Sequence, residues 1–351
     1  MSLVEGGFAT PLVDTGISSQ YVPNTKRHPV LWNSLQGPDA AFHDQGGEVF
    51  MQQESKLALK AKLRGILPPV TMPFDEKGRL IASGIRKQID FMIDSGVHGI
   101  VAGGSTGEGH TLSTEEFVES MEATHAAIAG RVPFVVGLIV NSTIEAIERT
   151  KKIAHLKPDA LQVTPVHYLF KPGPEATIKH FREIYQETGI PILIYNVIPW
   201  NYLSAELMLR IMEEVPGVVG MKQSSGDLKS LSDLLGAAKS DNIVLTGIDA
   251  LLYPGFALGA HGAISALTSA LPKQTVKLYD AVKSGNHEEA LKLHWKLNGI
   301  WNVVRHDNLP ACTKYIQSRQ GVDFFLPRAP MEPVSNEIKN VIDGALKAFA
   351  I

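Results

Sequence analysis

Between residues 65 and 265 the chain repeats one rhythm eight times: a short apolar run, a turn, then a helix-like stretch. The apolar runs fall at 66–74, 99–102, 132–139, 160–164, 190–196, 218–222, 243–246 and 262–265. The stretches between them carry the helical period, as with Ile85, Ile89, Phe91 and Met92 on one side of 83–95. One opens with Ser113-Thr-Glu-Glu116, the pattern of a capping box. Alternation of this kind implies βαβ units and a parallel sheet. Eight units in about 200 residues fit a closed (β/α)8 barrel better than an open doubly wound sheet.

The ends of the chain read differently. Residues 1–60 scatter Gly6, Pro11, Pro23, Asn24, Gly37 and Pro38 with no sustained period, so an irregular N-terminal arm is expected, with a helix entering at 53–63. The barrel is expected at 61–268. Beyond it the pattern is helical without strands, at 272–284, 287–304, 309–318 and 334–350, which predicts a C-terminal helical region over 269–351. Pro327, Pro330 and Pro333 separate these helices. A net charge of −3 gives no argument for a nucleic-acid or membrane partner. The single cysteine, Cys312, excludes an internal disulfide framework and suits a reducing cytoplasm. No apolar run is long enough to span a bilayer, and Met1 to Thr10 lack the marks of a signal peptide.

A barrel of this type carries its active site at the carboxyl ends of its strands. The residues expected there are Thr71, then Ser105, Thr106 and Glu108, Asn141, Thr164 with His167 and Tyr168, Tyr195 with Asn196, Lys222, Gly247 with Asp249, and Ser265. Lys222 ends an apolar run, Gly217-Val-Val-Gly-Met-Lys222. A lysine there either surfaces with its ammonium in water or stands in the mouth as an amine able to attack a carbonyl. Tyr195, on the neighbouring strand, offers a hydroxyl for the proton transfers that imine chemistry needs.

Gly103-Gly-Ser-Thr-Gly-Glu-Gly109 can present backbone N–H groups to an anion, either a phosphate or a carboxylate. It lacks the Gly-Lys-Ser/Thr ending of a phosphate loop and the glycine order of a dinucleotide fingerprint. A tight turn feeding a capped helix is the plainer alternative. Histidines 155, 167, 180, 261, 294 and 306 are scattered without a ligand spacing, so no metal site is expected. Ser105 fits the spacing of a nucleophile elbow, but no histidine and acid follow in the hydrolase order.

Four motifs occur in order: Gly104-Ser-Thr-Gly-Glu108, Tyr195-Asn-Val with Pro199 behind it, Gly220-Met-Lys-Gln-Ser-Ser-Gly-Asp227, and Gly259-Ala-His-Gly-Ala-Ile-Ser265. Together they resemble the dihydrodipicolinate synthase and N-acetylneuraminate lyase family, over about residues 62–347. The resemblance implies that Lys222 forms an imine with the ketone of pyruvate or another 2-oxo acid. It implies that Tyr195 relays protons and that Ser105 and Thr106 hold the carboxylate, with Thr106 counted in the catalytic set. Gly247 and Ile264 would line the pocket with backbone groups, and Asp249 would meet the distal part of the substrate. No cofactor or metal is implied, and the assembly implied is a homotetramer built from dimers.

Two departures from the synthase pattern bear on the substrate. The family's Thr-Pro-Tyr-Tyr reads Thr164-Pro-Val-His-Tyr168 here, so His167 holds the place of a tyrosine that completes the relay across a subunit contact. The entrance arginine is missing from Ile198-Pro-Trp-Asn-Tyr202, where Trp200 suggests a bulkier or less acidic substrate end. The expected activity is therefore a Schiff-base lyase on a 2-oxo acid, an aldolase or dehydratase. The alternatives are dihydrodipicolinate synthase itself and a non-catalytic barrel that binds an organic acid.

Overall fold

A computed structural model describes residues 46–305 and 308–351, with side chains from residue 54 onward. Of the expected irregular arm at 1–60, residues 1–45 lie outside the described residues, as does His306, while 46–60 are helical. In chain order the elements are α1 (Gly46–Lys62), β1 (Gly65–Ile66), α2 (Ile85–Asp94), β2 (Ile100–Ala102), α3 (Thr114–Ile128), β3 (Phe134–Leu138), α4 (Thr143–Ile153), β4 (Ala160–Val163), α5 (Pro174–Thr188) and β5 (Ile192–Asn196). They continue with α6 (Ala205–Glu214), β6 (Val218–Gln223), α7 (Leu228–Ala237), β7 (Ile243–Thr246), α8 (Leu252–Ala257) and β8 (Gly262–Ala263). Five helices follow: α9 (Ala266–Ala270), α10 (Pro272–Lys283), α11 (His287–Val304), α12 (Leu309–Ser318) and α13 (Asn336–Leu346).

The eight strands pair in parallel, in sequence order, with β1 also pairing β8. The remaining seam, between β1 and β2, is closed by backbone hydrogen bonds. His98 N–H donates to Ile66 at 2.8 Å, Val101 N–H to Pro68 at 3.0 Å and Val70 N–H to Val101 at 2.7 Å. The expected (β/α)8 barrel with a C-terminal helical extension is therefore the fold. β1 is shorter than the apolar run at 66–74 because Pro68, Pro69 and Pro73 have no N–H to give a ladder.

Two cores result. Inside the barrel, Leu67, Val101, Val135, Leu193, Leu245 and Ile264 fill the lumen. Leu63 and Leu59, at the end of α1, close its lower mouth. Outside, the helices bury their apolar faces against the sheet, as Ile85, Ile89 and Met92 of α2 do. Local signals set the helix starts: Ser113 accepts from the Glu116 N–H at 3.2 Å while Glu116 accepts from the Ser113 N–H at 3.0 Å. Such a cap is worth about 1 kcal/mol. No described helix is long and apolar enough to cross a membrane.

Candidate active site

β5 and β6 run side by side with Tyr195 opposite Lys222 and Asn196 opposite Gln223. Successive side chains on a strand alternate faces. Tyr195 and Lys222 turn into the barrel, 3% and 5% exposed, so the lysine does not surface. Its Nζ stands 4.0 Å from the centre of the Tyr195 ring. The Tyr195 hydroxyl donates to Ser105 Oγ at 3.1 Å.

Asn196 and Gln223 turn the other way and fasten loops. Asn196 Oδ1 accepts from the Leu203 N–H at 2.9 Å, and its Nδ2 donates to Leu203 O and Gln223 Oε1, both at 3.1 Å. Gln223 Oε1 also accepts from the Ser225 N–H, and its Nε2 donates to Ser230. The loops after β5 and β6 are thus tied from below while Tyr195 and Lys222 face inward.

Ser105 and Thr106 lie in a single 3-10 turn, Ser105–Gly107, directly after β2. The turn packs too closely for side chains: a Cβ on Gly107 would stand 2.3 Å from the Val70 carbonyl oxygen. Gly247, at the end of β7, is required for a similar reason. A Cβ there would stand 2.0 Å from Ser224 Oγ and 2.8 Å from Lys222 Cε.

These groups line one cavity of about 350 Å³ at the carboxyl ends of the strands. Ser105, Thr106, Tyr195, Lys222, Gly247 and Asp249 all reach its wall. Asp249 is buried, and its carboxylate accepts from the Leu267 N–H at 2.6 Å. Burial pushes its carboxyl above the usual range, against that hydrogen bond and the Lys222 charge. A smaller cavity at the strands' opposite ends, between Ser55, Lys56, Leu59 and Tyr185, brings together no comparable set.

Of the residues to which the resemblance gave a substrate-facing place, three stand off this wall. Ile264 is fully buried in the luminal core, and the wall passes over Ser265 and Ala266 instead. Trp200 is 61% exposed on the rim, where its Nε1 donates to His167 O at 2.7 Å. His167 is half-buried beside it and does not reach the wall of the cavity. Asn201 Nδ2 donates to Val166 O at 2.6 Å, so the loops after β4 and β5 are joined along this rim.

The structure adds His110 to the wall. Burial holds its imidazole below the usual range, with Glu108 acting against this and His167 with it. Its position five residues after Ser105, on the same glycine-rich turn, was the available signal. Trp301, Leu309 and Pro310 also line the cavity, from the C-terminal helices. Among the described residues no three His, Cys, Asp or Glu side chains gather as a metal site would require.

The sequence model of the dihydrodipicolinate synthetase family matches residues 62–349. A 4-hydroxy-tetrahydrodipicolinate synthase of Methanopyrus kandleri is 31% identical over 293 residues, covering 83% of this chain and 97% of that protein. Among solved structures, a prophage protein of the dihydrodipicolinic acid synthase family from E. coli K12, in complex with pyruvate, superposes with a TM-score of 0.77. It is 25% identical and covers 81% of this chain and 98% of that one. A Ruminococcus gnavus sialic acid aldolase shares the fold, with a TM-score of 0.76 at 23% identity over 82% of this chain and 97% of that one.

Proposed function

The chain belongs to the dihydrodipicolinate synthetase family and is a Schiff-base lyase of the aldolase type, and from that premise we propose that Lys222 is its imine-forming nucleophile. Its substrate is pyruvate or another 2-oxo acid. One observation carries this reading: the buried Lys222 amine lies over Tyr195, whose hydroxyl is bonded to Ser105.

The steps follow from that geometry. The Nζ lone pair attacks the ketone carbon and the carbonyl oxygen takes up a proton. Loss of water from the resulting carbinolamine leaves the imine. Tyr195, with Ser105 behind it, carries the protons in and out. Ser105 and Thr106 hold the carboxylate through N–H and hydroxyl groups at the end of β2. The protonated imine is an electron sink, so a proton on C3 or the C3–C4 bond can be lost to it at neutral pH. That sink is part of the adduct itself, and we propose that the reaction uses neither metal nor organic cofactor.

Asp249 and Gly247 complete the wall, and the bound Asp249 limits the room for a distal group. The rim formed by His167 and Trp200 meets the second substrate or the leaving aldehyde. No arginine stands in Ile198-Pro-Trp-Asn-Tyr202, which favours a sugar-acid aldolase or dehydratase. Dihydrodipicolinate synthase itself is the second reading, supported by the name of the Methanopyrus kandleri relative. A coupled assay with pyruvate and aspartate semialdehyde separates the two.

We also propose a cytoplasmic homotetramer made of dimers. Tyr168, Leu169 and Phe170 are 73%, 68% and 81% exposed beside Trp200, an apolar edge that suits contact with a second copy. The lone Cys312 calls for no oxidising compartment.

Borohydride reduction in the presence of pyruvate tests the central reading. The expected product is a mass adduct on the peptide holding Lys222, absent from Lys222→Arg. Reduction that leaves Lys222 unmodified with every 2-oxo acid supplied overturns it.

A further inference from the structure

The turn that carries Ser105 and Thr106 ends on Glu108, which has a left-handed backbone, φ 56°. Its carboxylate does not face the cavity. It is 2% exposed in its side chain and meets Lys314 of α12 at 2.5 Å, itself 2% exposed. The partners lie 206 residues apart in sequence. The other carboxylate oxygen accepts from the Arg328 N–H at 2.7 Å. Lys314 also donates to Leu326 O at 2.8 Å, and its Nζ stands 4.9 Å from the centre of the Phe74 ring.

The pair sits in a larger clamp. The Arg328 guanidinium binds both Glu116 oxygens, donates to Thr111 O at 2.7 Å and Gly78 O at 2.9 Å, and stacks 4.3 Å over Phe74. Arg328 and Lys314 therefore grip both ends of the segment from Glu108 to Glu116. A buried ion pair seldom adds net stability over an apolar pair, whereas removing one partner is costly.

We propose that Lys314 is a positioning residue for the 2-oxo acid's carboxylate, acting through Glu108 to hold the Ser105–Thr106 turn. This rests on the reading of that turn as the carboxylate site. The groups that face Glu108 are Lys314, the Arg328 main chain with its guanidinium beyond, and His110 on the same turn. Burial holds the Lys314 ammonium below its usual range, with Glu108 acting the other way.

The two single variants then have opposite signatures. In Lys314→Met the buried Glu108 carboxylate keeps the Arg328 N–H but has lost its counterion, which disfavours its charged form. That cost grows as pH rises, and the turn shifts. In Glu108→Gln the buried ammonium is tolerated only when it has shed its proton, so the turn shifts as pH falls. The double variant carries neither charge.

Borohydride trapping at graded pyruvate concentrations, from about pH 6 to 9, reads the half-saturating concentration for imine formation. Each value is compared with the unaltered enzyme at the same pH. Lys314→Met is expected to need about tenfold more pyruvate at the alkaline end and to recover toward the acid end. Glu108→Gln is expected to show the reverse slope, and Glu108→Gln/Lys314→Met neither. A general loss of packing would not invert its pH dependence between the two variants. If Lys314→Met does not fold, the slope of Glu108→Gln against the double variant decides. Single variants whose curves parallel the unaltered enzyme overturn the proposal while leaving Lys222 chemistry intact. Failure of the unaltered enzyme to trap pyruvate overturns both.

Discussion

Tyr195 and Lys222 are direct partners across the β5–β6 ladder, and the lysine's amine lies 4.0 Å from the centre of the tyrosine ring. The ladder thus fixes the pair's backbone spacing, and burial fixes the rest. An amine held this way needs no loop to close before it is aimed.

Tyr195→Phe keeps the ring over Lys222 and removes the hydroxyl that reaches Ser105. The expected result is a fall in kcat of about 10²–10⁴-fold with a folded protein, the usual weight of one acid–base group. Steady-state kinetics beside a thermal melt check this. Turnover within threefold of the unaltered enzyme, about 0.65 kcal/mol, excludes Tyr195 as the relay.

Gly247→Ala places a methyl group 2.0 Å from Ser224 Oγ and 2.8 Å from Lys222 Cε. Overpacking at such a site costs about 1–3 kcal/mol. The stem of Lys222 is one of the groups that must give way, so imine trapping should slow as well. Denaturant titration and trapping rates measure the two effects. Adding Ser224→Gly should recover part of both, and a Gly247→Ala protein with unchanged trapping contradicts the contact.

His180 does not line the cavity and affects stability instead. Burial pushes its imidazole down to about 4, while its Nδ1 is 2.9 Å from Thr143 Oγ1. A folded-state pKa below the unfolded value of 6.5 means that the unfolded chain binds the proton first. Stability is therefore full above that unfolded value and is lost as pH falls through the folded one. The loss attributable to this group is about 3 kcal/mol. His180→Gln should flatten that part of the curve, seen by urea unfolding between about pH 7 and 4. An unchanged pH slope would exclude the buried histidine as its source.

Much of this molecule is legible in its residues because the barrel repeats a local pattern. The helices at 272–283, 287–304 and 309–318 match the expected spans to within a residue. Lys222 and Tyr195 could be placed at the cavity because strand ends point into it. Phase was harder to read. Ile264, expected to offer backbone groups, buries its side chain on the luminal face, next in the chain to Ser265 of the wall. The placement of His167 and Trp200 on the rim was harder to read for another reason: loop paths depend on contacts such as Trp200 to His167 O. The pair Glu108–Lys314 was invisible altogether. Neither residue has a periodic neighbourhood that predicts burial, and the partners meet only when α12 docks on the barrel.

The division of labour on β5 and β6 has a consequence for how such an enzyme diversifies. Tyr195 and Lys222 face the cavity, while Asn196 and Gln223, one step on, hold the loops from the opposite face. These attachment points lie in the strands, and only Trp200 and Asn201 tie the 198–202 segment to the neighbouring loop by side-chain hydrogen bonds among the described residues. The segment's other residues can therefore change with little effect on how Tyr195 and Lys222 are held. The shape of the cavity's rim is separable from the spacing of the pair beneath it.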